Sequence, residues 1–231
     1  MRPTADIDGC LAAHARLART LAGLADADVR RPSLLPGWTV GHVLTHLARN
    51  AESHVRMLEG AARGDVVDQY PGGDEQRSGD IEAGSGRPSG VLAADVADAA
   101  ARLEQAWALV ADDVWEHGQG RMRSGLYPLA DLPFLRWREV EVHHADLGLG
   151  YGSADWPDAY VERELARTLD GLPGRLPAGA ALVLRATDSG QTWVVPEPSP
   201  GAAEVVGDRR WLLAWLIGRA SDPSLPALGP W

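Results

Sequence analysis

Glu139 and His143 stand four residues apart in the stretch Trp137 to Gly150, WREVEVHHADLGLG. If that stretch is helical, a carboxylate and an imidazole share a face one turn apart. Leu132, Leu135, Glu139, Val142 and Asp146 recur at steps of 3, 4, 3 and 4, the spacing of an inward seam. His143 lies beside that seam, while Glu141 and His144 fall on roughly the opposite face. An inward carboxylate has to be paired or bound to a metal, because burying it alone is costly. Glu-x-x-x-His supplies two ligands of the kind zinc takes, and the rest must come from elsewhere in the chain.

A second helical stretch, from about Val40 to Ala62, offers His42, His46, Asn50 and His54 at four-residue steps. Such a row drifts by about 40° per step, so the four cannot face one point. The apolar face is Val40, Val43, Leu44, Leu47, Ala51, Met57 and Leu58. His54 projects into it, His46 and Asn50 lie at its edge, and His42 points away. Periodicity therefore favours His54 as the inward histidine, and a hydrogen-bonded structural role remains open for each of them.

Other chemistry is excluded. The chain has one cysteine, Cys10, which reads as a small helix residue, since no local motif supports a nucleophile. A single cysteine also rules out an internal disulfide framework and suits a reducing cytoplasm. There is no lysine, so no lysine Schiff base. The net charge of −10 argues against nucleic acid or an anionic membrane as the main partner. No apolar run has the length of a membrane span, and the N-terminal stretch does not read as a signal peptide. The glycines of YPGG and GSG do not sit between a strand and a helix, which excludes a nucleotide-binding loop.

The elements that must position these residues follow from spacing and punctuation. A first helix is expected at about 5–25, with His14 on its surface. Pro32, Pro36 and Gly37 then turn the chain, and Thr39 is the expected N-cap of the second helix. Residues 63–90, rich in Gly, Asp, Arg and Ser, read as a long loop with a helical turn around Glu75 to Glu82. They form either a lid or a connector. A third helix is expected from Val91 to Trp115, then a hairpin turning at Ser124-Gly125. The fourth helix is entered at Asp131 or Pro133 and ends at Gly148. Four helices with apolar seams imply a bundle, which builds metal sites from facing helices. After Gly150 the expected elements are a helix from Trp156 to Leu169, a hairpin of ALVLRAT and QTWVVP about DSG, and a helix from Asp208 to Arg219. The fold class is α+β: a four-helix bundle over residues 1–151, then a small α+β domain over 152–231.

LLPGWTVGHVLTHLARNAE, QYPGGDEQRSGDIEAG, REVEVHHADLG and LIGRASD occur in this order between about residues 34 and 222. With them the chain resembles the mycothiol-dependent maleylpyruvate isomerases, a branch of the DinB-like metal-binding bundles. The resemblance implies that His46, Glu139 and His143 bind a divalent metal, zinc by expectation. It selects His46 over His54, against the periodicity. It also implies that Arg219, in LIGR, acts as a catalytic residue; without the family it reads as a helix C-terminal arginine that complements the dipole. The implied partners are mycothiol, a low-molecular-weight thiol, and a dicarboxylate substrate. The implied activity is cis–trans isomerisation of maleylpyruvate to fumarylpyruvate in the gentisate route of aromatic breakdown. A mycothiol S-transferase on the same scaffold and a non-catalytic metal-binding regulatory bundle are the competing expectations. Asp146 is expected either to hydrogen-bond a metal ligand or to pair with an arginine of the bundle.

Overall fold

The computed structural model describes residues 1–196 and 201–231. The chain opens with helices α1 (Thr4–Leu21) and α2 (Asp26–Val29). Helix α3 (Val40–Ala62) follows, then α4 (Gly73–Ser85), α5 (Ser89–Leu109) and the short α6 (Asp112–His117). Strands β1 (Gln119–Met122) and β2 (Gly125–Pro128) form a hairpin ahead of α7 (Leu132–Asp146). These elements belong to one compact unit, residues 1–151; a second unit covers 152–231. The architecture is α+β.

Helices α1, α3, α5 and α7 form the bundle. Helix α3 is its centre. Thr39 caps it, its hydroxyl accepting from the His42 backbone N–H while His42 Nδ1 accepts from the Thr39 N–H. Along α3, Val43, Leu44, Leu47, Ala51, Met57 and Leu58 are buried, as the spacing requires. So are Thr45, His46, Asn50, Ser53 and His54, because α3 is packed on several sides, against α4, α5 and α7. Helix α7 is likewise buried on both faces, so Glu141 and His144 are as enclosed as its seam.

The segment 63–90 is more ordered than its composition implies. It holds the 13-residue helix α4, not a single turn. That helix buries only Ile81, so its own amphipathicity cannot account for it. It lies on the first half of α3 by close backbone approach: a Cβ on Gly41 would stand 2.0 Å from the Ser85 carbonyl oxygen. His42 Nε2, 3.1 Å from Glu82, ties the two helices at their rim. The third helix also differs from expectation. It breaks at Val110, whose extended backbone separates α5 from α6.

His14 is not at the surface. It is 7% exposed, holds Glu104 through Nδ1 at 2.8 Å, and accepts from Arg136 Nε at 3.2 Å through Nε2. Arg136, fully buried on α7, also donates to the Leu47 carbonyl and to Asn50 Oδ1 on α3. This network clamps α1, α3 and α7 to one another.

In the second unit, helix α8 (Asp158–Gly171) precedes strands β3 (Leu182–Ala186) and β4 (Thr192–Val195), the expected hairpin. A further strand, β5 (Ala203–Gly207), pairs in parallel with β3, giving the order β4-β3-β5. Its five residues, AEVVG, show too little alternation to be read as a strand. Helix α9 (Arg209–Leu216) is capped by the Asp208 carboxylate, which accepts from the Trp211 N–H, and it packs on β3 and β5.

Candidate metal centre

Helix α3 presents His46 and helix α7 presents Glu139 and His143 to one point. The three side chains offer ligand atoms that all lie within 4.8 Å of one another. Glu139 Oε2 is 2.8 Å from His46 Nε2 and 3.4 Å from His143 Nε2. The two imidazoles meet edge to face, centroids 4.7 Å apart. Two nitrogens and one carboxylate oxygen are the donor set of a catalytic zinc site, which keeps a position open. The donor types and their mutual spacing fit a divalent metal, which these three residues would hold.

The electrostatics match that use. Burial alone would raise the Glu139 carboxyl, but hydrogen bonds from His143 and His46 outweigh it and hold the group well below the usual carboxylate range. Glu139 is therefore ionised. Burial pushes His46 down to about 4, against the pull of Glu139, so this imidazole is neutral, as a ligand must be. His143 is raised. Burial works downward there, and hydrogen bonds to Asp146 and Glu139 overcome it.

Asp146, buried one turn beyond His143, places Oδ2 2.9 Å from His143 Nδ1. The carboxylate accepts a hydrogen bond from Nδ1–H, and in the metal-bound form that bond would fix the tautomer that offers Nε2 as the ligand. This contact matches one of the two roles expected for Asp146, a hydrogen bond to a candidate metal ligand. Asp146→Asn should weaken metal affinity about 10–100-fold, measured by competition with a chromophoric chelator; unchanged affinity would leave Asp146 a purely structural acid.

His54 sits two turns beyond His46 and is fully buried, with neither ring nitrogen hydrogen-bonded among the described residues. Burial holds it near pKa 3, so it is a neutral core histidine outside the triad. Periodicity favoured His54, but the structure brings His46 beside Glu139 and His143, because α3 is buried on both sides of its apolar stripe. Glu141 accepts from Arg16, Trp137 Nε1 and Tyr151. Cys10 Sγ is 3.7 Å from His14 Nε2, but that nitrogen already accepts from Arg136, and burial pushes the thiol far above its ordinary value. It is no nucleophile. Arg219 lies in the second unit, just past α9, with Nη1 donating to the Ile217 carbonyl and its guanidinium 5.5 Å from the Trp231 ring centroid.

Sequence reasoning missed Arg77 and Trp38. Arg77, on α4, has Nη2 3.3 Å from His46 Nδ1 and its guanidinium 5.9 Å from the rings of both Trp38 and Tyr70. Trp38 also leans on His46, centroids 5.7 Å apart. The signal was present in YPGGDEQR and PGW, but nothing local indicated that α4 would fold onto the histidine.

Residues 10–148 match the family model described as the mycothiol maleylpyruvate isomerase N-terminal domain. Among solved structures, the chain is similar to a crystal structure of the mycothiol-dependent maleylpyruvate isomerase, with TM-score 0.87 and 26% identity over 100% of this chain and 98% of that one. A histidine-to-alanine mutant of that isomerase is similar at TM-score 0.86 and 25% identity, with the same coverage. No curated protein sequence matches the chain.

Proposed function

This chain belongs to the mycothiol maleylpyruvate isomerase family, and from that premise we propose that it is a metal- and mycothiol-dependent cis–trans isomerase converting maleylpyruvate to fumarylpyruvate. The observation that carries the proposal is the His46, Glu139 and His143 cluster, lying within the matched region and offering three ligands. A divalent metal held there, zinc by expectation, would supply positive charge that acidifies a thiol or polarises a carbonyl at neutral pH.

The chain's own residues then have distinct tasks. Glu139 stays ionised, and with a dipositive ion held by it and the two imidazoles the three-ligand set would carry one net positive charge for an anionic substrate. Asp146 holds the His143 ring. Cys10 is fully buried, so the sulfur that attacks must come from a small molecule. The thiolate adds to the conjugated alkene, and the π pair moves onto the adjoining carbonyl as an enolate. The former double bond rotates. The enolate pair then restores the alkene as the C–S bond breaks and the thiolate leaves. For Arg219, the proposal that it serves catalysis by holding a substrate carboxylate rests on the family likeness alone. Among the described residues no helix is long and apolar enough to cross a membrane, and a cytoplasmic setting, in aromatic breakdown, is proposed with the reaction.

Thiol bookkeeping tests the reaction type. An isomerase returns its thiol, so free mycothiol measured before and after complete conversion should be unchanged. Stoichiometric loss of thiol into a stable thioether would replace this reading with the S-transferase.

A further inference from the structure

We propose that Arg77 forms an anion subsite beside the metal cluster and takes a carboxylate of the substrate. The inference rests on the isomerase reading for the substrate's identity, but the subsite itself is argued from geometry. Three observations carry it.

First, the guanidinium is fixed in place. It stands 5.9 Å from the centroids of Trp38 and Tyr70, which hold a cation by their ring faces. Trp38 is anchored in turn against His42 and His46. A cation placed in advance loses less entropy when it binds an anion.

Second, its donors are not spent. No carboxylate of the described residues forms an ion pair with Arg77, and Asp74, one turn earlier on α4, is taken by Arg123. The polar contacts of Arg77 are His46 Nδ1, 3.3 Å from Nη2, and the Tyr70 hydroxyl. The tautomer that offers His46 Nε2 as a ligand carries its proton on Nδ1. Two N–H donors cannot bond each other, so the ligand form of His46 leaves the fork of Arg77 for another acceptor.

Third, the position matches the chemistry. A dicarboxylate whose reacting carbons lie near the metal cluster needs a countercharge close by. A planar fork binds a carboxylate through two parallel hydrogen bonds and orients it. Arg77 is carried by α4, which packs on α3 through Gly41, so the subsite is built by the segment that composition alone marks as a loop.

The test uses zinc-loaded protein. Maleate, a small dicarboxylate, is titrated calorimetrically in the absence of thiol into wild type, Arg77→Gln and Arg77→Lys. The expected result is binding weakened about 10–100-fold in Arg77→Gln, partly restored by lysine, with one equivalent of zinc kept in all three. In turnover, Arg77→Gln should raise KM for maleylpyruvate while KM for mycothiol stays put. Failure of wild type to bind maleate, equal binding by Arg77→Gln, loss of zinc from that variant, or a shift confined to the KM for mycothiol would each overturn the assignment. If wild type binds maleate through Arg77 yet does not turn over maleylpyruvate, the isomerase reading fails and the carboxylate subsite stands.

Discussion

Glu139→Ala is expected to empty the metal site while leaving the bundle folded. Glu139 is the only carboxylate of the triad, and its oxygen is the atom both imidazoles approach, at 2.8 and 3.4 Å. Removing it leaves two neutral nitrogens, a poor trap for a dipositive ion. The loss of affinity should exceed the ~10–100-fold that altering a supporting residue costs. Stability should change little, because the side chain is 28% exposed and leaves no sealed cavity. A cost of about 1 kcal/mol would move the melting temperature by roughly 2–4 °C in a chain of this size. Metal content by elemental analysis after desalting, paired with a melting curve, reads both. Glu141→Ala is the matched control: Glu141 is held by Arg16, Trp137 and Tyr151, and that variant should keep its metal. Full metal occupancy in Glu139→Ala would sink the ligand assignment.

Arg136→Ala should have the opposite profile, with large destabilisation and an unchanged ligand set. The guanidinium is fully buried and donates to His14, to the Leu47 carbonyl and to Asn50. Burial lowers its pKa, the cost of holding a cation away from water. Truncation strands three acceptors and opens a cavity where α1, α3 and α7 meet. Breaking a buried charged network of this kind costs about 3–5 kcal/mol, which corresponds to a fall in melting temperature on the order of 10 °C. Denaturant unfolding of wild type and variant gives the number. A loss below about 1 kcal/mol would mean that the three acceptors find other donors and that the clamp lies elsewhere.

Both variants concern α7, and α7 was the most legible part of the sequence. Its seam spacing, Pro133 near its start and Gly148 after its end gave the element. The four-residue interval then put Glu139 and His143 on one face. Helix α3 was equally clear in its bounds, because Thr39 is a cap and Pro36-Gly37 a break. Which histidine of α3 faces Glu139 was not legible from periodicity. An amphipathic reading ranks positions by distance from the apolar stripe, and α3 is buried well beyond its stripe. His54 therefore occupies the core while His46, at the edge, meets α7. The family likeness pointed to His46, and the folded chain brings His46 to the same carboxylate. His14 was misread for a similar reason. Its partners, Glu104 and Arg136, are distant in sequence. Helix α4 and strand β5 were hidden because neither carries its own pattern: α4 depends on Gly41 for its seat and on Glu82 and Arg77 for its contacts, and β5 on the β3 edge. Since Arg77 rides on α4, the proposed anion subsite was invisible for the same reason.

The most direct test is the initial rate of maleylpyruvate loss, followed by absorbance, in four mixtures: protein with and without divalent metal, each with and without mycothiol. The account predicts turnover only where metal and mycothiol are both present, and none in Glu139→Ala under that condition. A rate independent of metal, or one that persists without any thiol, would contradict it.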